Sequence, residues 1–431
     1  MISSIALLRN PFLILLSSFL ILAAAQGASR NVSVGDFLPA NDRNLTWQSP
    51  SGDFELGFRR VPDQQDRFLL AIWFAKVPQK TIVWSGNEDN PVEIESRVEL
   101  TSSGLVLRAP SGMELWWTNS TQDGTEGVSH AAMLDTGNFV IISTNSDNIW
   151  ESFQNRTDTI LPGQELGLDS FLSSAISGTS YKKGRFQLRF TAKSLVLNQI
   201  DIVTGEPFQF YLNITDGSRL IFNKSGYILI RKSSGSLVQL APENTVPKQD
   251  SYYRATLGFD GVFTLYSHSK TSYGDATWAS WWYRPKDICS SFVSPDPRGS
   301  GPCGYNNICQ PDQDGRATCR CPNGFSVLDA KNPHFGCRPN YQSKPEDCNE
   351  EGSTIGEDRF EFNTMQFADW PYSDYELLQH VNETECSSSC LIDCNCVVAI
   401  LEALELNNGT GRCWKKKLPL SNGWFNQEQI N

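Results

Sequence analysis

Four histidines, His130, His268, His334 and His380, are scattered along the chain, and none stands in an H-x3-H or HExxH pattern that would hold a metal. No G-x-S-x-G turn presents a nucleophile, and no G-x4-G-K-[ST] loop cradles a phosphate. One G-x-G-x-x-G does occur, at Gly299, Gly301 and Gly304; it brackets Cys303 and follows no strand of a βαβ unit, so it reads as a chance match. The remaining chemistry is that of sulfur. Twelve cysteines lie between Cys289 and Cys413, with none before them. Two readings compete: the spacings Cys319-x-Cys321 and Cys386-x3-Cys390 could ligate zinc, and an even count suits disulfides. No catalytic residue, bound calcium, other metal or cofactor is predicted.

The N-terminus favours disulfides. Arg9 precedes an apolar stretch from Phe12 to Ala25 that ends in Ala23-Ala24-Ala25, which is the pattern of a cleaved secretory signal. Residues 1–25 are read as that signal, with the mature chain starting near Gln26. No second apolar stretch is long enough to cross a bilayer, so the chain is expected to be secreted. Eight N-x-S/T sequons, at Asn31, Asn44, Asn119, Asn155, Asn213, Asn223, Asn382 and Asn408, are candidate glycan sites on that route. With 36 basic against 48 acidic side chains the net charge is −12, which argues against nucleic acid or anionic lipid as the main partner. Lys415-Lys416-Lys417 and the group Lys182, Lys183 and Arg185 are read as solvated basic runs.

The cysteine-free region must be positioned by strands. A glycine followed by a short apolar or alternating run recurs six times, at Gly52, Gly104, Gly137, Gly184, Gly226 and Gly261. Glycine tolerates the positive φ of a tight turn, and the alternation after it suits a strand with one buried face. The irregular intervals each leave room for a small sheet. Three sheets can close on a common axis, so six units predict two such modules in tandem, all-β. Trp47, Trp73, Trp84, Trp116, Trp117 and Trp150 punctuate the first module and are expected to fill its centre rather than line a sugar site.

These residues carry a resemblance. Ser49-Pro-Ser-Gly-Asp-Phe-Glu-Leu-Gly-Phe58, Thr81-Ile-Val-Trp84, Leu134-Asp-Thr-Gly-Asn-Phe-Val140 and Trp150-Glu-Ser-Phe153 resemble the bulb-type lectin domain of plant S-domain (G-type lectin) receptor-like kinases. Thr157-Asp-Thr-Ile-Leu-Pro-Gly-Gln164 is similar to the linker of that family, and Tyr253-Arg-Ala-Thr-Leu257, Asp260-Gly-Val-Phe263 and Trp282-Tyr-Arg-Pro285 to its S-locus glycoprotein region. Asp393-Cys-Asn-Cys396 and Cys413-Trp-Lys-Lys-Lys-Leu-Pro-Leu420 look most like the lectin receptor kinase branch. The resemblance implies a mainly β protein with two tandem β-prism domains, bulb-type lectin at 26–155 and S-locus glycoprotein region at 156–285. A disulfide-rich EGF-like module at 286–338 and a small α+β PAN/apple domain at 345–425 would follow.

For the EGF-like module the family pattern implies Cys289–Cys309, Cys303–Cys319 and Cys321–Cys337, where sequence alone leaves the connectivity open. The PAN resemblance implies Cys386–Cys413 and Cys390–Cys396, leaving Cys348 with Cys394. The run Glu383–Leu391 is the one place where a helix is expected, with Asn382 or Thr384 as cap and Cys386 and Cys390 on one face.

The resemblance also implies a place for sugar. Mannose-binding members carry Q-x-D-x-N-x-V-x-Y on a strand, whose alternation turns the polar side chains to one face. Leu134, Thr136, Asn138, Val140 and Ile142 occupy those positions here, and only the asparagine and valine match. The Gly104 copy, Leu100 to Arg108, keeps Val106 alone, and the Gly52 copy, Ser49 to Gly57, keeps nothing. Thr136, Asn138 and Val140 are thus a degenerate site, and retention of the scaffold without mannose binding is the favoured reading. The expected function is recognition of an extracellular ligand, protein, elicitor or glycan, in defence or self-recognition signalling. A membrane receptor, or a second copy engaged through the PAN domain, is the expected partner. The alternatives are a carbohydrate-binding lectin, and a truncated product of a membrane-spanning receptor kinase, which would place it on the outer face of the plasma membrane.

Overall fold

The computed structural model describes residues 31–425 apart from 42, 44, 63, 119–126, 169, 193, 243–246, 273, 293–298, 341–360 and 404–409. The predicted signal at 1–25 and the sequon residues Asn44, Asn119 and Asn408 lie outside the described residues. Strands dominate, and Glu383–Leu391 is the only α-helix among the described residues. The chain forms two compact units, one of Met1–Arg156 with Ser272–Thr277, the other of Thr157–Thr271 with Trp278–Asn431.

The first unit holds three antiparallel sheets. Sheet I joins Thr46–Gln48, Phe54–Arg60, Arg67–Phe74 and Ile82–Ser85, with Val92–Glu93 paired to its third strand. Sheet II runs in the order Phe37–Pro39, Arg97–Thr101, Gly104–Arg108, Glu114–Trp117. Sheet III runs Val32–Ser33, Val128–Met133, Phe139–Ser143, Asn148–Glu151. Each sheet touches the other two. The alternation predicted after each glycine turns one apolar set inward: Leu56, Ile72, Val98, Leu100, Leu107, Phe139 and Ile141 are buried together. The last long strand of each sheet sends one tryptophan inward, and Trp84, Trp116 and Trp150 meet edge to face with ring centroids 5.8–6.5 Å apart.

The second unit repeats this topology. Sheet IV joins Phe171–Ala175, Lys183–Phe190, Ser194–Ile200 and Pro207–Thr215 in sequence order. Sheet V joins Glu165–Leu166 to Gly217–Phe222, Ile228–Lys232 and Leu237–Ala241, and sheet VI joins Thr159–Ile160 to Ser251–Leu257, Phe263–Ser269 and Ala279–Arg284. In both units the first short strand completes the third sheet and the next completes the second, so early residues close sheets built later in the chain. Phe186, Phe222 and Phe263, one from each sheet, share a core with Ile288, Cys289, Cys303 and Cys309.

The six glycine signatures fall one to a sheet. Gly52, Gly104, Gly137, Gly226 and Gly261 do adopt positive φ at turns. Gly184 differs. It lies inside the strand Lys183–Phe190, beside the register shift between Ser173 and Ala175, where a Cβ would run into the Ala175 carbonyl. Close approach of two backbones, not a turn, requires glycine there.

The cysteine-rich remainder belongs to the second unit. Disulfides join Cys289 with Cys309, Cys303 with Cys319, Cys321 with Cys337, Cys386 with Cys413 and Cys390 with Cys396. Cys394 is also disulfide-bonded; Cys348, its expected partner, lies outside the described residues. Two stretches far apart in sequence share one sheet: Ile308–Pro311 pairs in parallel with Gly423–Phe425, which in turn pairs with Ala368–Asp369. The helix Glu383–Leu391 starts in a capping box: the Asn382 side chain accepts from the Glu385 N–H, Glu385 accepts from the Asn382 N–H, and Cys386 and Cys390 are buried.

Candidate functional site

The outer faces of the three sheets of the first unit are where the expected sugar positions fall. On sheet III, Val140 is buried. The Asn138 side chain is engaged on both sides: Nδ2 donates to Glu151 Oε2 at 2.8 Å, and Oδ1 accepts from Ser152 Oγ and from the Phe153 N–H, both at 3.1 Å. Thr136 stands exposed in the turn, with Oγ1 accepting from the Asn138 N–H at 3.4 Å. The three residues are neighbours, yet no set of free polar atoms converges on one point there.

Sheet I is closed in a different way. Gln48, Glu55 and Trp73 lie side by side across three strands. Glu55 accepts from Gln48 Nε2 at 2.9 Å and from Trp73 Nε1 at 3.0 Å, and Arg59 lies over the Trp73 ring. Asp53 pairs with Lys76 at 2.8 Å. Trp73 therefore serves the outer face of its sheet, at 3% exposure, and not the centre.

Sheet II is the open one. Direct pairing aligns Phe37, Glu99, Val106 and Trp117 in one row across all four strands. A second row aligns Pro39, Arg97, Arg108 and Glu114. Phe37 is 53% and Trp117 59% exposed. Trp117 thus departs from the expected role in the centre. A register shift between Glu114 and Trp116 sends Trp116 inward to the tryptophan cluster and leaves Trp117 facing solvent. Between the rings the charges pair off, Arg97–Glu99 at 3.7 Å, Arg108–Glu99 at 3.2 Å and Arg108–Glu114 at 2.7 Å. Composition concealed this row; the alternations Arg97-x-Glu99 and Val106-x-Arg108 were its only signals.

In the second unit Cys303, Cys319 and His334 bring two sulfurs and a ring nitrogen within 4.8 Å of one another. The two sulfurs are bonded to each other, so no thiolate is available, and His334 Nδ1 lies 3.2 Å from the Pro302 carbonyl. Asp287 accepts from the N–H groups of Cys289 and Ser290. The loop carrying Gly299, Gly301 and Gly304 leads into no helix; Gly301 N–H donates to Gln199 Oε1 at 3.2 Å. Arg185, read above as solvated, instead reaches inward to Ser300 Oγ and the carbonyls of Pro302 and His334. Lys415 and Lys416 are likewise buried. Lys415 pairs with Glu376 and Asp393, and Lys416 with Asp369 and Asp374 while donating to the Trp370 carbonyl. Their strand is the middle one of its sheet, which turns both side chains against acidic neighbours, and only Lys417 faces solvent. A cavity of about 480 Å³ lies in the same unit, lined by Phe325, Met365, Trp370, Val398 and Ile400 with Glu383 and Asp393. Among the described sequon asparagines, Asn31, Asn155, Asn213 and Asn382 are exposed and Asn223 is half-buried.

Residues 81–182 match the family described as D-mannose binding lectin. A G-type lectin S-receptor-like serine/threonine-protein kinase of Oryza sativa subsp. indica, LECRK3, is 36% identical over 414 residues, covering 92% of this chain and 49% of that protein. Its counterpart RLK1 of Arabidopsis thaliana is 35% identical over 425 residues, 91% of this chain and 48% of that protein. Among solved structures, Japanese Marasmius oreades lectin aligns at 16% identity and TM-score 0.22 over 30% of this chain and 91% of its own. The fetuin-binding Scilla campanulata agglutinin, a two-domain lectin, aligns at 16% and 0.20 over 60% of this chain and 97% of its own. Strand pairing and sequence together define a mainly β protein of the bulb-type lectin class with plant relatives. More particularly, the chain is a lectin receptor kinase ectodomain-like protein, and it spans about half the length of the curated relatives it matches.

Proposed function

We propose that this chain is an extracellular recognition module that binds a ligand and catalyses nothing, with glycan as the first ligand class. The observation that carries the reading is the alignment, over 92% of the chain, with proteins whose names state a G-type lectin, together with an open outer face on sheet II. Exposed sequon asparagines and a disulfide-bonded tail support a secretory route, and a role in plant defence or recognition signalling fits the same relatives. The test is a broad glycan array probed with the whole chain expressed in a eukaryotic secretory system. Saturable binding to a defined glycan class supports the reading; a blank array removes it.

A second reading is favoured by the cavity beside the helix Glu383–Leu391. Its apolar floor and acidic rim suit a protein ligand, which fits the PAN-like assignment of residues 345–425 and a partner such as a membrane receptor or a second copy. Sedimentation analysis of the whole chain, alone and with candidate receptor ectodomains, separates this from the first reading.

A further inference from the structure

Resting on the lectin reading, we propose that the outer face of sheet II is the sugar site. Its ligand would be a neutral, linear oligosaccharide of hexopyranoses with equatorial hydroxyls. Phe37 and Trp117 stand on the two edge strands of the sheet and face the same side, because direct pairing relates each member of the row to the next. Three interstrand steps separate them, about 14–15 Å, roughly the span of three linked pyranose rings. Between them in the row lie Glu99 and Val106, and Val106, only 8% exposed, keeps the floor low beside Trp117. Arg97 lies over the Phe37 ring at 5.8 Å and steadies that wall. Exposed aromatic rings at the two ends of one row offer apolar faces to C–H-rich ligands.

Charge selects the occupant. The two rows carry two guanidinium groups and two carboxylates, all joined in the ladder Arg97–Glu99–Arg108–Glu114. No net charge remains to attract a sialylated or uronic glycan, or a charged peptide. The ladder's spare N–H donors and carboxylate lone pairs suit hydroxyl groups, which both donate and accept. A ring with all-equatorial hydroxyls presents an unbroken C–H face for stacking, whereas the axial hydroxyl of mannose interrupts it. The matched lectin region, residues 81–182, includes three of the four strands of this sheet. Val106 and Arg108 belong to the Gly104 copy of the degenerate motif, whereas Phe37, Glu99 and Trp117 lie outside it and Thr136, Asn138 and Val140 take no part.

The experiment titrates the whole secreted chain with β-1,4-linked glucose and N-acetylglucosamine oligomers of increasing length and with a mannose oligomer, by calorimetry. Affinity is expected to rise sharply between the dimer and the trimer, to favour the equatorial sugars over mannose, and to be insensitive to salt. Trp117→Ala and Phe37→Ala, both surface changes, should each weaken binding about tenfold. Wild-type glycan binding that survives both ring variants, or that is lost on Thr136→Ala instead, overturns the site while leaving the lectin reading in place. Rings needed for a protein partner but for no glycan overturn the assigned occupant. A whole chain that binds no glycan on a broad array removes both.

Discussion

Asn138, just ahead of the strand Phe139–Ser143, donates a 2.8 Å hydrogen bond to Glu151 on the neighbouring strand of sheet III, at one of the positions where the sequence resemblance implies a sugar contact. The asparagine carbonyl also holds the Phe153 N–H, so the side chain fixes the turn by which the chain leaves the sheet. Asn138→Ala would leave that N–H and the Ser152 hydroxyl short of a buried acceptor, at a cost of about 1–3 kcal/mol. Urea unfolding should show the loss, while glycan affinity of the folded variant should equal wild type. Loss of glycan binding without loss of stability would return the sugar site to sheet III.

Arg316 and Asp260 tie the disulfide-bonded segment to sheet VI within the second unit, with Nη2 to Oδ1 at 2.8 Å. The Asp260 side chain is 2% exposed, and burial pushes its carboxyl upward against the pull of Arg316. Burial works against the Arg316 charge as well, but Asp260 and Tyr266 outweigh it and hold the guanidinium above its ordinary value. The two ends therefore differ: the carboxylate is the more deeply enclosed, with 2% of its side chain exposed against 26% for Arg316. Arg316→Met is expected to cost about 3–5 kcal/mol by stranding a buried carboxylate, and adding Asp260→Asn should recover part of it. Chemical denaturation of both variants checks this; a loss below about 1 kcal/mol would mean that water screens the pair.

The sheet-forming glycines were legible because turn and alternation are local signals, and six of them do mark six sheets. Gly184 was misjudged in kind, since a backbone clash with Ala175 depends on a neighbour that sequence does not name. Lys415 and Lys416 looked solvated for the same reason: a charge run says nothing of the carboxylates at Asp369, Asp374, Glu376 and Asp393 that a central strand brings to it. The expected sugar residues were found by analogy to a motif, and that analogy pointed to the strand of Asn138. The exposed row on sheet II needs the pairing of Phe37 with Glu99 and of Val106 with Trp117, which joins residues from three separate stretches of chain.

His334 should make stability depend on pH. Burial pushes its imidazole below the ordinary value, opposed in part by the hydrogen bond to the Pro302 carbonyl and by Asp260, while Arg185 and Arg316 add to the depression. The unfolded chain then takes up the proton more readily than the folded one. Stability is therefore full above the unfolded value of about 6.5 and declines as pH falls through it, levelling once the folded imidazole is also charged. The urea midpoint should fall between pH 7 and pH 5, and His334→Asn should flatten that part of the curve. An unchanged slope in the variant would assign the effect to other groups.

The tryptophan cluster of the first unit gives the sharpest test of three sheets closing on one another. Trp84, Trp116 and Trp150 come from three different sheets, and Trp84 Nε1 also donates to the Asn155 carbonyl at 2.6 Å. Gly86 leaves the space they need, since a Cβ there would lie 2.9 Å from Trp84 Cη2 and 3.3 Å from Trp116 Cζ2. Trp150→Ala is expected to cost about 3–5 kcal/mol through the cavity it opens. Gly86→Ala should cost about 1–3 kcal/mol through overpacking, because both rings must move against filled neighbours. Near-ultraviolet circular dichroism followed through thermal unfolding reads both effects, as a lower midpoint and a weaker tryptophan signal. Substituting Trp117 should do neither, because its ring lies outside the cluster. Equal effects at Trp117 and Trp150 would show that the three rings do not form a common centre.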